Sequence, residues 1–165
     1  AVESYAPGAP EERTAERARA VLENSPVADA AISSEGVPLA IMVADCIPVV
    51  LVGERVANWQ PILAVAHAGR RGLLDGVLQQ TVQRMRQLGA EKITAWLGPS
   101  ICGSCYEVPE AMRTEEAGVQ VSMDCAQCTF EEPEVYSHRG FTNRGEKPGR
   151  IAGLVWIEKA AEPAA

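Results

Sequence analysis

Four groups of residues in this 165-residue chain have types and spacings suited to chemistry. The first is Cys46, preceded by Asp45, together with His67. A thiolate becomes a nucleophile or a metal ligand when an imidazole, a cation or a metal ion favours its charged form. The pair therefore points to a zinc site needing a further ligand, or to a Cys and His hydrolase with the histidine as base and Cys46 as nucleophile. The plainer alternative is a buried structural thiol beside a hydrogen-bonded core histidine. The second group is residues 67–72, HAGRRG. Glycines around Arg70 and Arg71 let backbone amides and guanidinium groups approach an anion, and the helix expected to follow adds its positive end. Phosphate is the natural guest, although a strand-to-helix turn with solvated arginines explains the same residues. The third is a CxxC at Cys102 and Cys105 followed by a CxxC at Cys125 and Cys128, with nineteen residues between the pairs. That separation lies within the range of about 15 to 20 that reads as a four-cysteine zinc site. The fourth is Tyr136, Ser137, His138, Arg139 and Arg144. These residues either return a histidine and cations to the same cleft or form a solvated basic loop.

The elements that must position these groups are legible as apolar runs. Residues 37–43 (VPLAIMV), 47–52 (IPVVLV) and 61–66 (PILAVA) predict strands buried on both faces. Cys46 falls in the break between the first two and His67 at the end of the third, so both can project into a common cleft. A helix beginning near Leu73 follows, with Leu74, Val77, Leu78, Val82, Met85 and Leu88 on one side and glutamines on the other. Gly89 stops it. Residues 92–97 (KITAWL) and 119–123 predict further strands, 100–112 a small-residue loop leading towards a short helix, and 151–157 a last buried element of either type. At the start, residues 1–10 read as a solvated lead-in with a short extended piece over 2–5. Residues 11–23 (EERTAERARAVLE) predict a surface helix with acids first and bases later, stopped by Asn24, Ser25 and Pro26.

Composition bounds the function. A chain of this length with 47% hydrophobic residues predicts a single domain over 1–165 that folds without disulfide staples. A formal charge of −7 argues against a general nucleic-acid binder, which needs a basic face, but leaves small anions open to local arginines. No run approaches the roughly 18 apolar residues of a membrane span, and no charged segment precedes an apolar one as in a signal peptide. Five cysteines, an odd count, fit thiols or thiolate ligands in a reducing cytoplasm. Two histidines are too few for the several imidazoles that each centre of a multicopper oxidase takes. The absence of an initiating Met suggests a piece of a longer sequence. These residues imply no particular oligomeric state.

VADCIPVVL (43–51), AVAHAGRRGLLDGVL (64–78), WLGPSICGSCYEV (96–108) and YSHRG (136–140), with Gly149 and Arg150 after them, occur in a telling order. Together they resemble the laccase-domain family, once labelled multicopper polyphenol oxidases and described as zinc-dependent purine nucleoside phosphorylases with adenosine deaminase activity. The resemblance runs from about residue 27 to 157, and a member of the family is also described in bacterial peptidoglycan editing. It implies a layered α/β/β/α sandwich of mixed sheets and a Zn2+ bound by one cysteine and two histidines. Cys46 and His67 match two of these ligands. The other histidine belongs to an upstream QVHG motif that this sequence does not contain, and His138 is the one histidine left to complete the set. Arg71 matches the family's arginine in HAGWRG, whereas Arg70 replaces its tryptophan and Val43 the threonine of TADC. The implied substrates are phosphate and a purine nucleoside: adenosine, inosine or a methylthioadenosine type. Arg71, with Arg139 and His138, would hold phosphate or substrate, and Asp45 would orient a ligand or exchange protons with the purine. The chain is shorter than the family between Arg113 and Thr114. Two rivals stand beside this reading: the metal-free Cys46 hydrolase, and a non-catalytic binding module stapled by zinc on the CxxC pairs.

Overall fold

Two of the apolar runs meet at the centre of the molecule. The computed structural model describes residues 2–5, 27–56, 60–102, 104–105, 120–122, 127–145 and 147–158. In it, strand β4 (Ile47–Glu54) pairs antiparallel with β5 (Ile62–Ala68), Val49 lying opposite Ala66 and Leu51 opposite Ala64. Around them are β1 (Val2–Tyr5), β2 (Ala30–Ser33), β6 (Lys92–Leu97) and β7 (Gln120–Ser122), in the sheet order β1-β2-β5-β4-β6-β7. The outer pairs β1·β2 and β6·β7 are parallel and the inner pairs antiparallel. Strands β3 (Leu39–Val43) and β8 (Ile151–Val155) form a separate antiparallel pair.

The side-chain alternation of β5 explains the layering. Ile62, Ala64 and Ala66 face helix α2 (Val77–Gln87), where Val77, Val82 and Met85 close one core with Leu51, Val49 and Ile93. Leu63 and Val65 point the other way and pack against Leu39 of β3 and Val155 of β8. A strand covered on both sides has no polar face, so its sequence reads as one apolar run. Each fully buried Ile or Leu contributes about 1.5–3 kcal/mol relative to exposure. The domain is thus a layered α/β fold of helix, large mixed sheet and small antiparallel sheet. Among the described residues, no helix is long and apolar enough to cross a membrane.

The structure corrects several expectations. Residues 37–43 are not buried on both faces: within β3, Ala40 and Met42 are exposed, because among the described residues nothing covers the outer side of the β3·β8 pair. The helix expected from Leu73 is two helices. A five-residue α1 (Arg70–Leu74) ends at Asp75, and Gly76, at φ 75°, starts α2 from the left-handed region, where glycine carries no steric cost. Leu74, expected on the buried stripe, is 65% exposed as a result. The last element, of either type in the sequence, is the strand β8. Strand β2 went unpredicted; its residues AAIS are too small and too few to give a strand signal. The helix expected over 11–23 and the short helix after residue 105 lie outside the described residues.

Candidate active site

Cys46 sits in the tight turn between β3 and β4, and the turn is shaped by Asp45. Asp45 has φ 71°, a left-handed conformation that costs a non-glycine residue about 1–2 kcal/mol. Its buried carboxylate offsets this. Oδ1 accepts the Thr129 hydroxyl at 2.7 Å, and Oδ2 accepts the backbone N–H of Arg139 at 2.7 Å. Hydrogen bonds to a charged group contribute about 1.5–3 kcal/mol each, so the two together outweigh the strain. The Asp45 carbonyl also accepts the N–H of Ile101 at 2.9 Å. One residue therefore ties the Cys46 turn to the loop after β6 and to the segment leading into helix α3 (His138–Arg144).

His67 comes from the end of β5. Its Nδ1 lies 3.5 Å from Asp29 Oδ1, and its backbone N–H donates to the Asp29 carbonyl at 2.7 Å. Asp29 thus holds the ring by one nitrogen and leaves Nε2 to face Gly69. A Cβ on Gly69 would lie 3.1 Å from Nε2 and 3.3 Å from Cys46 Sγ. Thiol and imidazole border one small space that a side chain at position 69 would fill. A carboxylate behind a histidine, with a thiol beside the histidine's free nitrogen, is the donor chemistry of a zinc site. Burial, and then the charge of Asp45, push the Cys46 thiol above its ordinary pKa, so without a cation it stays protonated at neutral pH.

Arg71 is exposed on α1, two residues beyond Gly69. Helix α1 is too short for its dipole to add much, which corrects the expectation of a helix end at the phosphate site. His138 is exposed at the first position of α3, whose N-cap is Ser137, its Oγ accepting the Gly140 N–H at 3.0 Å. Arg139 is half-buried, and its guanidinium Nη1 donates to the Cys105 carbonyl at 2.8 Å.

The CxxC residues form a second constellation. One donor atom each from Cys102, Cys105, Cys128 and Glu131 lie within 4.8 Å of one another, a grouping able to hold a metal ion. Cys125 lies outside the described residues. Hydrogen bonding, first from Ser104, pulls the Cys102 thiol down to about 6. Desolvation, followed by hydrogen bonds to Cys102 and Glu131, pushes Cys105 up to about 12. Sequence reasoning missed Asp29, Thr129 and Glu131. The one available signal was Glu131, which follows Cys128 by three residues.

Taken together, fold and site define a layered α/β domain with thiol and imidazole donors at the ends of its central strands. The chain belongs to the family described as multi-copper polyphenol oxidoreductase laccase, whose model matches residues 11–121. It is 37% identical to a purine nucleoside phosphorylase of Streptomyces coelicolor over 81% of this chain and 65% of that protein. A purine nucleoside phosphorylase of Streptomyces griseus is 36% identical over 81% and 64%. The chain thus spans a little under two thirds of these curated relatives. The first of these alignments runs over 166 positions while taking in 81% of this chain, so the relative carries extra residues inside the matched stretch. The solved structure of a Neisseria meningitidis protein is similar at TM-score 0.65 and 26% identity, covering 96% of this chain and 71% of that one. The structure of YlmD from Geobacillus stearothermophilus shares the fold at TM-score 0.65 and 22% identity, covering 96% and 70%.

Proposed function

We propose that the chain carries the core of a zinc-dependent purine nucleoside phosphorylase that also deaminates adenosine. The observation that carries this reading is the space at Gly69 bordered by Cys46 Sγ and His67 Nε2, with Asp29 behind the histidine. The names of the relatives support the phosphorylase part. Zinc, held there by Cys46 and His67 with a third ligand, would supply Lewis-acid polarisation of a bound oxygen.

The chain's own residues bind and orient. Arg71 lies two residues beyond Gly69, and Arg139 is bonded through its backbone to the residue before Cys46, so both are assigned to phosphate, with His138 beside Arg139. In phosphorolysis a phosphate oxygen bonds to the ribose C1′ as the C1′–N9 bond breaks, and the purine leaves with a proton. In deamination a water oxygen adds at purine C6 and ammonia departs. With both oxygens engaged, Asp45 acts by holding the turn that presents Cys46 rather than by exchanging protons with the purine. The substrates are adenosine, inosine or methylthioadenosine-type nucleosides, in the cytoplasm, with no nucleic-acid or membrane partner.

Incubation with adenosine and phosphate should yield adenine with ribose 1-phosphate, and inosine with ammonia. The rival hydrolase separates on chelation. If a strong zinc chelator leaves activity intact while Cys46→Ser abolishes it, the metal reading fails. The raised pKa of Cys46 already weighs against a metal-free thiolate nucleophile, which requires the opposite shift.

A further inference from the structure

We propose that Cys102, Cys105, Cys128 and Glu131 bind a second zinc ion, structural in role, that clamps the loop after β6 to the segment leading into α3. The site shares no residue with the Cys46 and His67 space and stands whether or not that reading survives. Three thiols and a carboxylate converge from two segments, their donor atoms within 4.8 Å of one another. In tetrahedral zinc sites the Zn–S distance is about 2.3 Å, which places neighbouring sulfurs roughly 3.8 Å apart. Small side-chain shifts therefore close the set.

The backbone holds the two segments together independently of any ion. Ser100 and Cys128 form a parallel bridge: the Ser100 N–H donates to the Gln127 carbonyl at 3.1 Å, and the Thr129 N–H to the Ser100 carbonyl at 3.1 Å. The Cys102 N–H donates to Cys128 Sγ at 3.4 Å, an interaction that strengthens when the sulfur carries thiolate charge. Cys105 Sγ already donates to Glu131 Oε1 at 3.3 Å. A disulfide would join two of the sulfurs and leave the third thiol and the carboxylate facing it. A four-donor set rich in thiolate selects zinc in closed, tetrahedral coordination, the form of structural sites. The sequence pointed to four cysteines; among the described residues Glu131 is the fourth donor.

The position of the site gives it a consequence. The Cys105 carbonyl accepts from the Arg139 guanidinium, and the hydroxyl of Thr129, next to Cys128, donates to the Asp45 carboxylate. An ion joining these two segments would fix both partners of the Cys46 turn.

The test uses the full chain carrying Cys46→Ser, which removes the Cys46 thiol of the other site. The protein is stripped of metal under reductant and titrated with Co2+, then with Zn2+. The expected result is saturable thiolate-to-cobalt charge-transfer absorption that zinc displaces, lost on adding Cys102→Ser or Cys128→Ser, with at least tenfold weaker binding for Glu131→Gln. Absence of that absorption, or its persistence in both cysteine variants, overturns the proposal. In case the cysteine variants do not fold, alkylation of the folded Cys46→Ser chain decides. Zinc should protect Cys102, Cys105 and Cys128 together, whereas equal labelling with and without zinc, or a disulfide among them in reduced, zinc-treated protein, would sink the idea.

Discussion

Thr129 and Asp45 are 84 residues apart in sequence, yet the Thr129 hydroxyl donates to Asp45 Oδ1 at 2.7 Å in the buried interior of the site. That bond, with the Arg139 N–H on Oδ2, turns a strained residue into the anchor of the Cys46 turn. Thr129→Val leaves Oδ1 short of its donor without changing side-chain shape. It should destabilise the fold by about 1–3 kcal/mol, read as a lower urea midpoint at unchanged slope. In a double-mutant cycle with Asp45→Asn the two losses should be non-additive; strict additivity would show that the bond carries no energy.

Gly69 lines the space between the thiol and the imidazole. Its φ of −83° suits alanine, but an added Cβ would press on His67 and Cys46 at 3.1–3.3 Å, so Gly69→Ala should lower the melting temperature modestly as those side chains shift. The added Cβ would sit between His67 Nε2 and Cys46 Sγ, and zinc affinity at that site should fall at least tenfold. Scanning calorimetry measures the first effect and calorimetric titration with zinc the second, and unchanged affinity would argue against metal in that space.

Cys46 should show a pH dependence of definite sign. Its pKa is raised, first by burial and then by the Asp45 charge, so in metal-free protein alkylation should be slow at neutral pH and accelerate above the ordinary thiol range. Asp45→Asn removes the second cause, lowers the pKa and should speed labelling at a given pH. Slower labelling in the variant would contradict the electrostatic account.

The other thiols should divide sharply. In metal-free protein Cys102, at about 6, is largely thiolate at neutral pH and should be alkylated first, with a rate falling as pH drops below 6. Cys105, at about 12, should resist until strongly alkaline conditions. Peptide mapping of a timed iodoacetamide reaction gives the order, and labelling of Cys105 before Cys102 would reverse it.

Much of this arrangement was legible in the chain. The runs that became β4, β5 and β6 announced themselves because strands covered on both sides carry no polar positions, and Cys46 and His67 stood at their ends. What escaped was set by tertiary contact. The exposed outer face of β3 follows from nothing among the described residues packing over that side of the β3·β8 pair, which an apolar run does not encode. The break at Gly76 was hidden because apolar spacing continues through it. Asp29 and Thr129 are single polar residues without periodicity, and only the fold brings them to His67 and Asp45. The phosphate-binding roles proposed for Arg71, Arg139 and His138 come from motif resemblance and adjacency, and activity is what tests them.

The central claim is that Cys46 and His67 hold a zinc ion required for phosphorolysis. It is tested most directly by the rate of phosphate-dependent adenine release from adenosine, followed as zinc is added back to chelator-treated protein, for the unmutated chain beside Cys46→Ala and His67→Ala. The account predicts a rate that rises with zinc and saturates in the unmutated chain, and no zinc-dependent rate in either variant. Release that persists in chelator, or that zinc restores equally in both variants, would contradict it.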